Sequence, residues 1–261
     1  MIISWWSAGI TSAVATKLAI QEFGSEVKSI YFEIGSAHPD NHRFKKECED
    51  WYGQEIEVWS SDKYKDQFDV IEKTSYFNGP AGARCTTELK KKVRLKVEKT
   101  LEYEHQVFGF EYSKAEINRA LRFKEQYTYS KPIFPLIEKG MNKSECYHFL
   151  NEANIKVPEM YNLGYRNNNC IGCVKGGAGY WNKIRKDFPD VFNRMADLEA
   201  KKGNSCIRGQ FLKDLDPNKG RDQKVIMPDC GNFCDIEFSD LTHPQLEMIF
   251  NEPNKIRDMV K

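Results

Sequence analysis

Residues 3–20 read ISWWSAGITSAVATKLAI. The apolar run Met1–Trp6 predicts a buried strand, which the small residues Ser7-Ala8-Gly9-Ile10-Thr11-Ser12 break. A helix pattern follows, with Val14, Leu18 and the flanking alanines on one side and Gly24 as its stop. Strand, small-residue turn and helix together aim free backbone N–H groups and a positive helix end at an anion. Gly9 permits close backbone approach, and Ser7, Thr11 and Ser12 add hydroxyl donors. The stretch predicts phosphate contacts over Ser7, Ala8, Gly9, Ile10, Thr11 and Ser12. A plain β–α turn of a doubly wound fold is the alternative.

The 261 residues are 40% hydrophobic and 30% charged, which suits a globular chain with one full core and a smaller attached unit. A net charge of +1 excludes a strongly basic protein and leaves nucleic acid open. No apolar run is long enough to span a bilayer, and the N-terminus lacks a basic region with a cleavage site. The expectation is a cytoplasmic protein without a membrane partner. With no secretion signal, the eight cysteines read as thiols or metal ligands rather than disulfides.

Outward from the first turn, VKSIYFEI (27–34) is a second strand ended by Gly35-Ser36. Pro39-Asp40-Asn41 opens a helix with Phe44, Cys48, Trp51 and Tyr52 on one face. IEVWSS (56–61) is a third strand, with a helix around Phe68 and Ile71 after it. Strands alternating with helices imply a parallel sheet with right-handed crossovers. Ligands in such sheets sit at the carboxyl ends of the strands. Glu33 and Gly35 are therefore candidate nucleotide contacts, with strand termination as the alternative. QVFGF (106–110) is the fourth strand and places Gly109 at the same edge.

Residues 76–87 are a Gly- and Pro-rich loop. A helix from Glu88 to Leu101 carries Lys90, Lys91, Lys92, Arg94, Lys96 and Lys99, which is either a solvated face or a basic edge for an anionic substrate. Ser113 to Glu116 has the pattern of a capping box. On the helix it opens, Arg119 and Arg122 lie one turn apart, as a phosphate or sulfate site needs and as surface arginines also do. Ile133–Ile137 is a short apolar segment, and Asn142 caps a further helix. The division is a nucleotide-binding unit over residues 1–155 and an irregular unit over 156–261, with little regular structure before a helix near Asp190–Lys201.

Cys170-Ile171-Gly172-Cys173 is a C-x-x-C in a Gly- and Asn-rich loop, and Cys230 to Cys234 is a C-x3-C. Paired thiols at these spacings can grip one metal, and Cys85 supplies a third position. All-sulfur ligation suits [4Fe–4S] or structural zinc. The candidate set is Cys85, Cys170, Cys173 and one of Cys230 or Cys234, with a redox pair or inert thiols as the alternative. Cys48 reads as core, and Cys146 and Cys206 as structural.

Three blocks resemble the phosphoadenosine phosphosulfate (PAPS) reductase-like branch of the PP-loop ATP pyrophosphatases, the adenine nucleotide alpha-hydrolases. Ser7–Ser12 stands as S-A-G-I-T-S where that superfamily has S-G-G-x-D-S. Arg84-Cys85-Thr86-Thr87-Glu88-Leu89-Lys90 is similar to R-C-T-x-x-L-K. Phe134-Pro135-Leu136-Ile137, Leu163-Gly164-Tyr165 and Asn169–Cys173 are similar to a P-L stretch followed by G-Y and G-C-x-x-C. Gly176–Glu199 looks like the variant in phage and mobile-element members. The resemblance implies a Rossmann-like α/β fold: a doubly wound, mostly parallel five-stranded sheet with an irregular cysteine-containing C-terminal subdomain. It implies an adenine nucleotide, ATP or PAPS with Mg2+, at the sheet's carboxyl edge. It also makes Cys85, Cys170 and Cys173 cluster ligands. Two departures stand out. Thr11 replaces the acid, and Asp229-Cys230-Gly231-Asn232-Phe233 lacks the histidine that ends the reductases' E-C-G-x-H.

Three functions follow from this reading. The first is ATP-dependent adenylation of an acceptor oxygen in tRNA or DNA, assisted by Arg119 or Arg122, with sulfur from a donor protein then replacing AMP. The second is thioredoxin-dependent APS/PAPS reduction with Cys230 as nucleophile. The third is a non-catalytic nucleotide-binding subunit of a modification or defence complex. A homodimer is compatible with each.

Overall fold

All five residues of β1 (Ile2–Trp6) are buried, as a strand covered on both faces requires. The computed structural model describes residues 1–79 and 82–220. Its sheet adds β2 (Val27–Phe32), β3 (Ile56–Trp59), β4 (His105–Val107) and β5 (Pro132–Ile133), all parallel, in the order β3-β2-β1-β4-β5. In β1, Ile2 and Trp6 face one core and Ile3 and Trp5 the other, the period-two alternation of a strand.

On one face lie α1 (Ile10–Phe23), α2 (Asn41–Tyr52) and α8 (Lys143–Glu152), contributing Val14, Leu18, Phe44, Tyr52 and Leu150 to the Trp6 core. On the other lie α5 (Lys92–Thr100), α6 (Lys114–Gln126) and the turn α7 (Pro135–Glu138), with Val97, Ile117, Phe123 and Ile137 against Trp5. Cys48 and Cys146 are core residues, and burial pushes both thiols up to about 12. Ser113 caps α6 by accepting from the Glu116 N–H, and Asn142 and Glu145 form a complete capping box on α8.

A third core joins α3 (Gln67–Thr74) to the C-terminal helices α9 (Glu159–Asn162), α10 (Ala178–Asp187) and α11 (Pro189–Lys202), through Phe68, Ile71, Met160, Trp181 and Met195. The expected lack of regular structure before residue 190 is corrected by α10. Its glycines lie in or ahead of the first turn, and Tyr180, Trp181 and Ile184 form a buried stripe that holds it helical despite them. The predicted helix Glu88–Leu101 also differs. It begins as α4 (Arg84–Thr86), runs through a π-helical turn at Thr87–Lys91 and only then becomes α5.

The chain winds from β1 out to β3, then crosses back to β4 and β5. The order reverses between β1 and β4, which is where such sheets open a crevice. No helix among the described residues is long and apolar enough to cross a membrane.

Candidate nucleotide site and thiol cleft

The crevice holds the sequence's first turn. Ser7, Gly9, Thr11 and Ser12 line a cleft of about 280 Å3 with Phe108, Gly109 and Arg119. Gly9 is the N-cap of α1, and no side chain caps the helix there. The first N–H groups of a helix have no intrahelical acceptor, so they and the positive helix end are presented to a ligand. The Ile10 N–H lies 3.4 Å from the Tyr161 hydroxyl, which also borders the cleft. Ser12 Oγ ties the turn together: it accepts from the Ser7 N–H at 3.1 Å and donates to the Gly9 carbonyl at 2.8 Å.

Two features fix the shape. Ala8 has a φ of +57°, a left-handed conformation that strains any L-residue by about 1–2 kcal/mol. Gly109 runs so close to α1 that a Cβ there would sit 2.6 Å from Ser12 Cα and 2.7 Å from Ser12 N. The end of β4 and the start of α1 therefore meet backbone to backbone, and that contact forms the cleft floor.

Four cations, Lys90, Arg119, Lys143 and Arg166, and two carboxylates, Glu111 and Glu116, line the same cleft. Arg119 stacks 4.4 Å over the Phe110 ring, with Nη1 3.4 Å from Glu116. Lys143 Nζ donates to the Arg166 carbonyl at 2.6 Å and to Asn167 Oδ1 at 2.9 Å. Arg122 is not among the lining residues. Glu33 pairs with His42 Nε2 at 3.6 Å, and the Gly35 N–H donates to the Lys65 carbonyl at 3.0 Å, both outside this cleft. Much of the basic run is paired with carboxylates: Lys92 with Glu88, Lys96 with Asp62 and Arg94 with Glu98. Of these only Lys96–Asp62 is exposed on both sides and contributes little to stability, whereas Arg94 and Glu98 are both buried.

Lys90 differs from its neighbours. It lines the phosphate-side cleft, a second cleft beside Tyr31, Asn41 and Asn168, and a third where Cys85, Cys170 and Cys173 meet. Cys85 and Lys90 are five residues apart, and the π-helical turn between them shifts the helical phase that would otherwise separate them.

The three thiols share that last cleft with Ile34, Leu89 and Val174. Their loop is wound on one hydroxyl. Tyr180 Oη accepts from the Gly172 N–H at 3.0 Å and the Cys173 N–H at 2.8 Å, and donates to the Cys170 carbonyl at 3.2 Å. Gln67 Nε2 adds a bond to the Ile171 carbonyl at 2.8 Å. Cys206 is buried in the same apolar core as Cys173, with Cys85 packed against it. Glu199, fully buried, anchors the Cys206 loop by accepting from the Cys206 and Leu212 N–H groups at 2.7 and 2.6 Å. Burial pushes the Cys206 thiol well up, and Glu199, Cys173 and Cys85 act in the same direction.

The donor chemistry suits a thiophilic metal or cluster. The spacing does not: among the described residues no group of three or more His, Cys, Asp or Glu could hold an ion as it stands. The cleft holds about 20 Å3, close to the room for one water. Cys230 and Cys234 lie outside the described residues.

Sequence reasoning did not single out Tyr161, Asn168 or Tyr180, and it reads Cys206 as structural. The Asn167-Asn168-Asn169 run just ahead of the C-x-x-C was the available signal for one of them. Tyr180 and Cys206 carry no local signature: Tyr180 reads as one apolar position of a helix, and Cys206 as a lone thiol.

No curated protein matches the chain. The family model described as the phosphoadenosine phosphosulfate reductase domain matches residues 1–176, two thirds of the sequence and every residue that lines the phosphate-side cleft. The chain belongs to the phosphoadenosine phosphosulfate reductase domain family.

Proposed function

We propose that this protein is an ATP pyrophosphatase that activates an acceptor for sulfur transfer. An acceptor oxygen of tRNA or DNA attacks the α-phosphorus of ATP, the bond to the β-phosphate oxygen breaks and pyrophosphate leaves. A sulfur nucleophile from a donor then attacks the adenylated carbon, and AMP departs with the oxygen. The N–H groups at the start of α1, Ser7, Thr11 and Ser12, and the Lys90 and Arg119 cations stabilise charge growing on the leaving pyrophosphate. Mg2+ bound to the phosphates supplies further charge neutralisation. With Thr11 in the loop, Glu111 or Glu116 would be the carboxylate of this cleft to orient that ion.

One observation carries the choice of ATP. Cations gather on the phosphate side, whereas the adjoining cleft beside Tyr31 has Asn41, Asn168 and Asn169 and only Lys90 as a charge. Among the described residues a nucleoside end placed there meets no cluster suited to a 3′-phosphate. Competition against a fluorescent adenine nucleotide tests this. ATP is expected to bind roughly tenfold tighter than PAPS, a difference of about 1.4 kcal/mol. PAPS binding as tightly as ATP overturns the assignment.

The reductase reading retains one point of support, the family itself, and it requires Cys230 to act as nucleophile. In either reading Cys85, Cys170 and Cys173 are the candidate ligands of an iron–sulfur cluster or zinc, which their present spacing does not accommodate. Cys206 competes with Cys230 and Cys234 as the fourth thiol. When bound, such a group supplies a soft site for a sulfur species.

A further inference from the structure

Ala8 is the residue of the first turn least suited to its own backbone. It is fully buried and left-handed, where glycine pays no steric penalty. A conformation of that kind persists only when its surroundings hold it. The holding group is a side chain 160 residues away. Asn168 Nδ2 donates to the Ala8 carbonyl at 2.7 Å and to Asn41 Oδ1 at 2.7 Å. Asn41 in turn donates to the Tyr31 hydroxyl at 3.3 Å.

The orientation of the amide follows from chemistry. A backbone carbonyl only accepts, so the atom facing Ala8 is the nitrogen. Among the described residues Asn168 Oδ1 is buried without a hydrogen-bond partner, so there the two donations fix the group. Asn168 lies two residues before Cys170 and lines both the phosphate-side cleft and the Tyr31 cleft.

We infer that Asn168 is a positioning residue that holds Ala8 left-handed, so that the loop carrying the C-x-x-C sets the shape of the phosphate-binding turn. The inference rests on the proposed binding of ATP phosphates at the start of α1. Its consequence is that the thiol loop and the nucleotide site act as one unit. A disturbance of the loop reaches the nucleotide through the Ala8 carbonyl.

The test is a double-mutant cycle read by calorimetric binding of a non-hydrolysable ATP analogue with Mg2+. Asn168→Ala removes one short hydrogen bond to the turn and is expected to weaken binding up to roughly tenfold. Asn168→Asp keeps the shape but presents only acceptors to the Ala8 carbonyl, and is expected to weaken binding at least as much. Glycine adopts the left-handed conformation unaided, so in an Ala8→Gly background the Asn168→Ala step is expected to cost less than about threefold. The same loss in both backgrounds overturns the inference, because general loosening of the loop would not be relieved by a glycine at residue 8. Wild-type affinity in both Asn168 variants overturns it as well. Failure of the wild-type protein to bind the analogue is a different result and removes the ATP reading itself.

Discussion

Gly109→Ala is expected to weaken ATP binding roughly hundredfold while leaving a folded but less stable protein. The added Cβ would meet Ser12 Cα, Ser12 N and the Thr11 carbonyl carbon at 2.6, 2.7 and 2.9 Å. All three are backbone atoms at the start of α1, so no side-chain rotation relieves the clash. The strand end or the helix start must move. Overpacking of this kind costs about 1–3 kcal/mol in stability, and the rigid neighbours place Gly109 at the upper end. The displacement falls on the N–H groups that face the cleft, and affinity is expected to drop roughly hundredfold, equivalent to about 2.7 kcal/mol. Urea unfolding with calorimetric nucleotide binding checks both parts. Affinity within twofold of wild type would show that the contact between β4 and α1 does not shape the site.

The second large effect is expected at Tyr180→Phe. The change deletes one oxygen from a fully buried ring and leaves the Gly172 and Cys173 N–H groups without their acceptor. Two unsatisfied buried donors cost roughly 2–6 kcal/mol. The cost falls on the loop that sets the spacing of Cys170 and Cys173, so metal content should fall together with stability. Metal and sulfide analysis of anaerobically purified protein measures this and also tests the thiol set. Wild type is expected to carry iron with sulfide, or zinc, and Cys85→Ser and Tyr180→Phe to carry much less. Cys206→Ser is the discriminating variant. Full metal content in that variant assigns the fourth thiol to Cys230 or Cys234, and loss equal to that of Cys85→Ser assigns it to Cys206. Wild-type protein without metal would contradict ligation by these cysteines.

Much of this arrangement was legible in the sequence because its determinants are local. The Met1–Trp6 run, the small-residue break and the Val14–Leu18 stripe specify a strand, a turn and a helix within 20 residues. The fourth strand puts Gly109 at the carboxyl edge and helical spacing picks out Arg119 with Arg122; Gly109 and Arg119 line the cleft. What was not legible depends on contacts between distant segments. Arg119 and Arg122 are equivalent by helical spacing, yet the rotation of α6 against β4 leaves only Arg119 among the cleft-lining residues. The helix α10 was hidden by glycines whose cost is offset by Tyr180 and Trp181 packing in a core that no local pattern announces. The basic run reads as one surface, but Glu88, Asp62 and Glu98 pair several of its members while a π-helical turn carries Lys90 into three clefts. The Asn168 contact to Ala8 spans 160 residues and appears only once the chain is folded.

The most direct test of the proposed activity is product analysis with α-labelled ATP, Mg2+ and anaerobically prepared protein, with and without bulk tRNA or DNA. A parallel reaction with PAPS and thioredoxin reports sulfite. Pyrophosphate with an equal amount of label as adenylated acceptor and AMP together, increased by one of the nucleic acids and lost in Gly109→Ala, is the predicted result. Sulfite from PAPS without pyrophosphate from ATP would contradict it and establish the reductase reading. Binding of ATP with neither product, under every acceptor tried, would contradict both and leave a nucleotide-binding subunit.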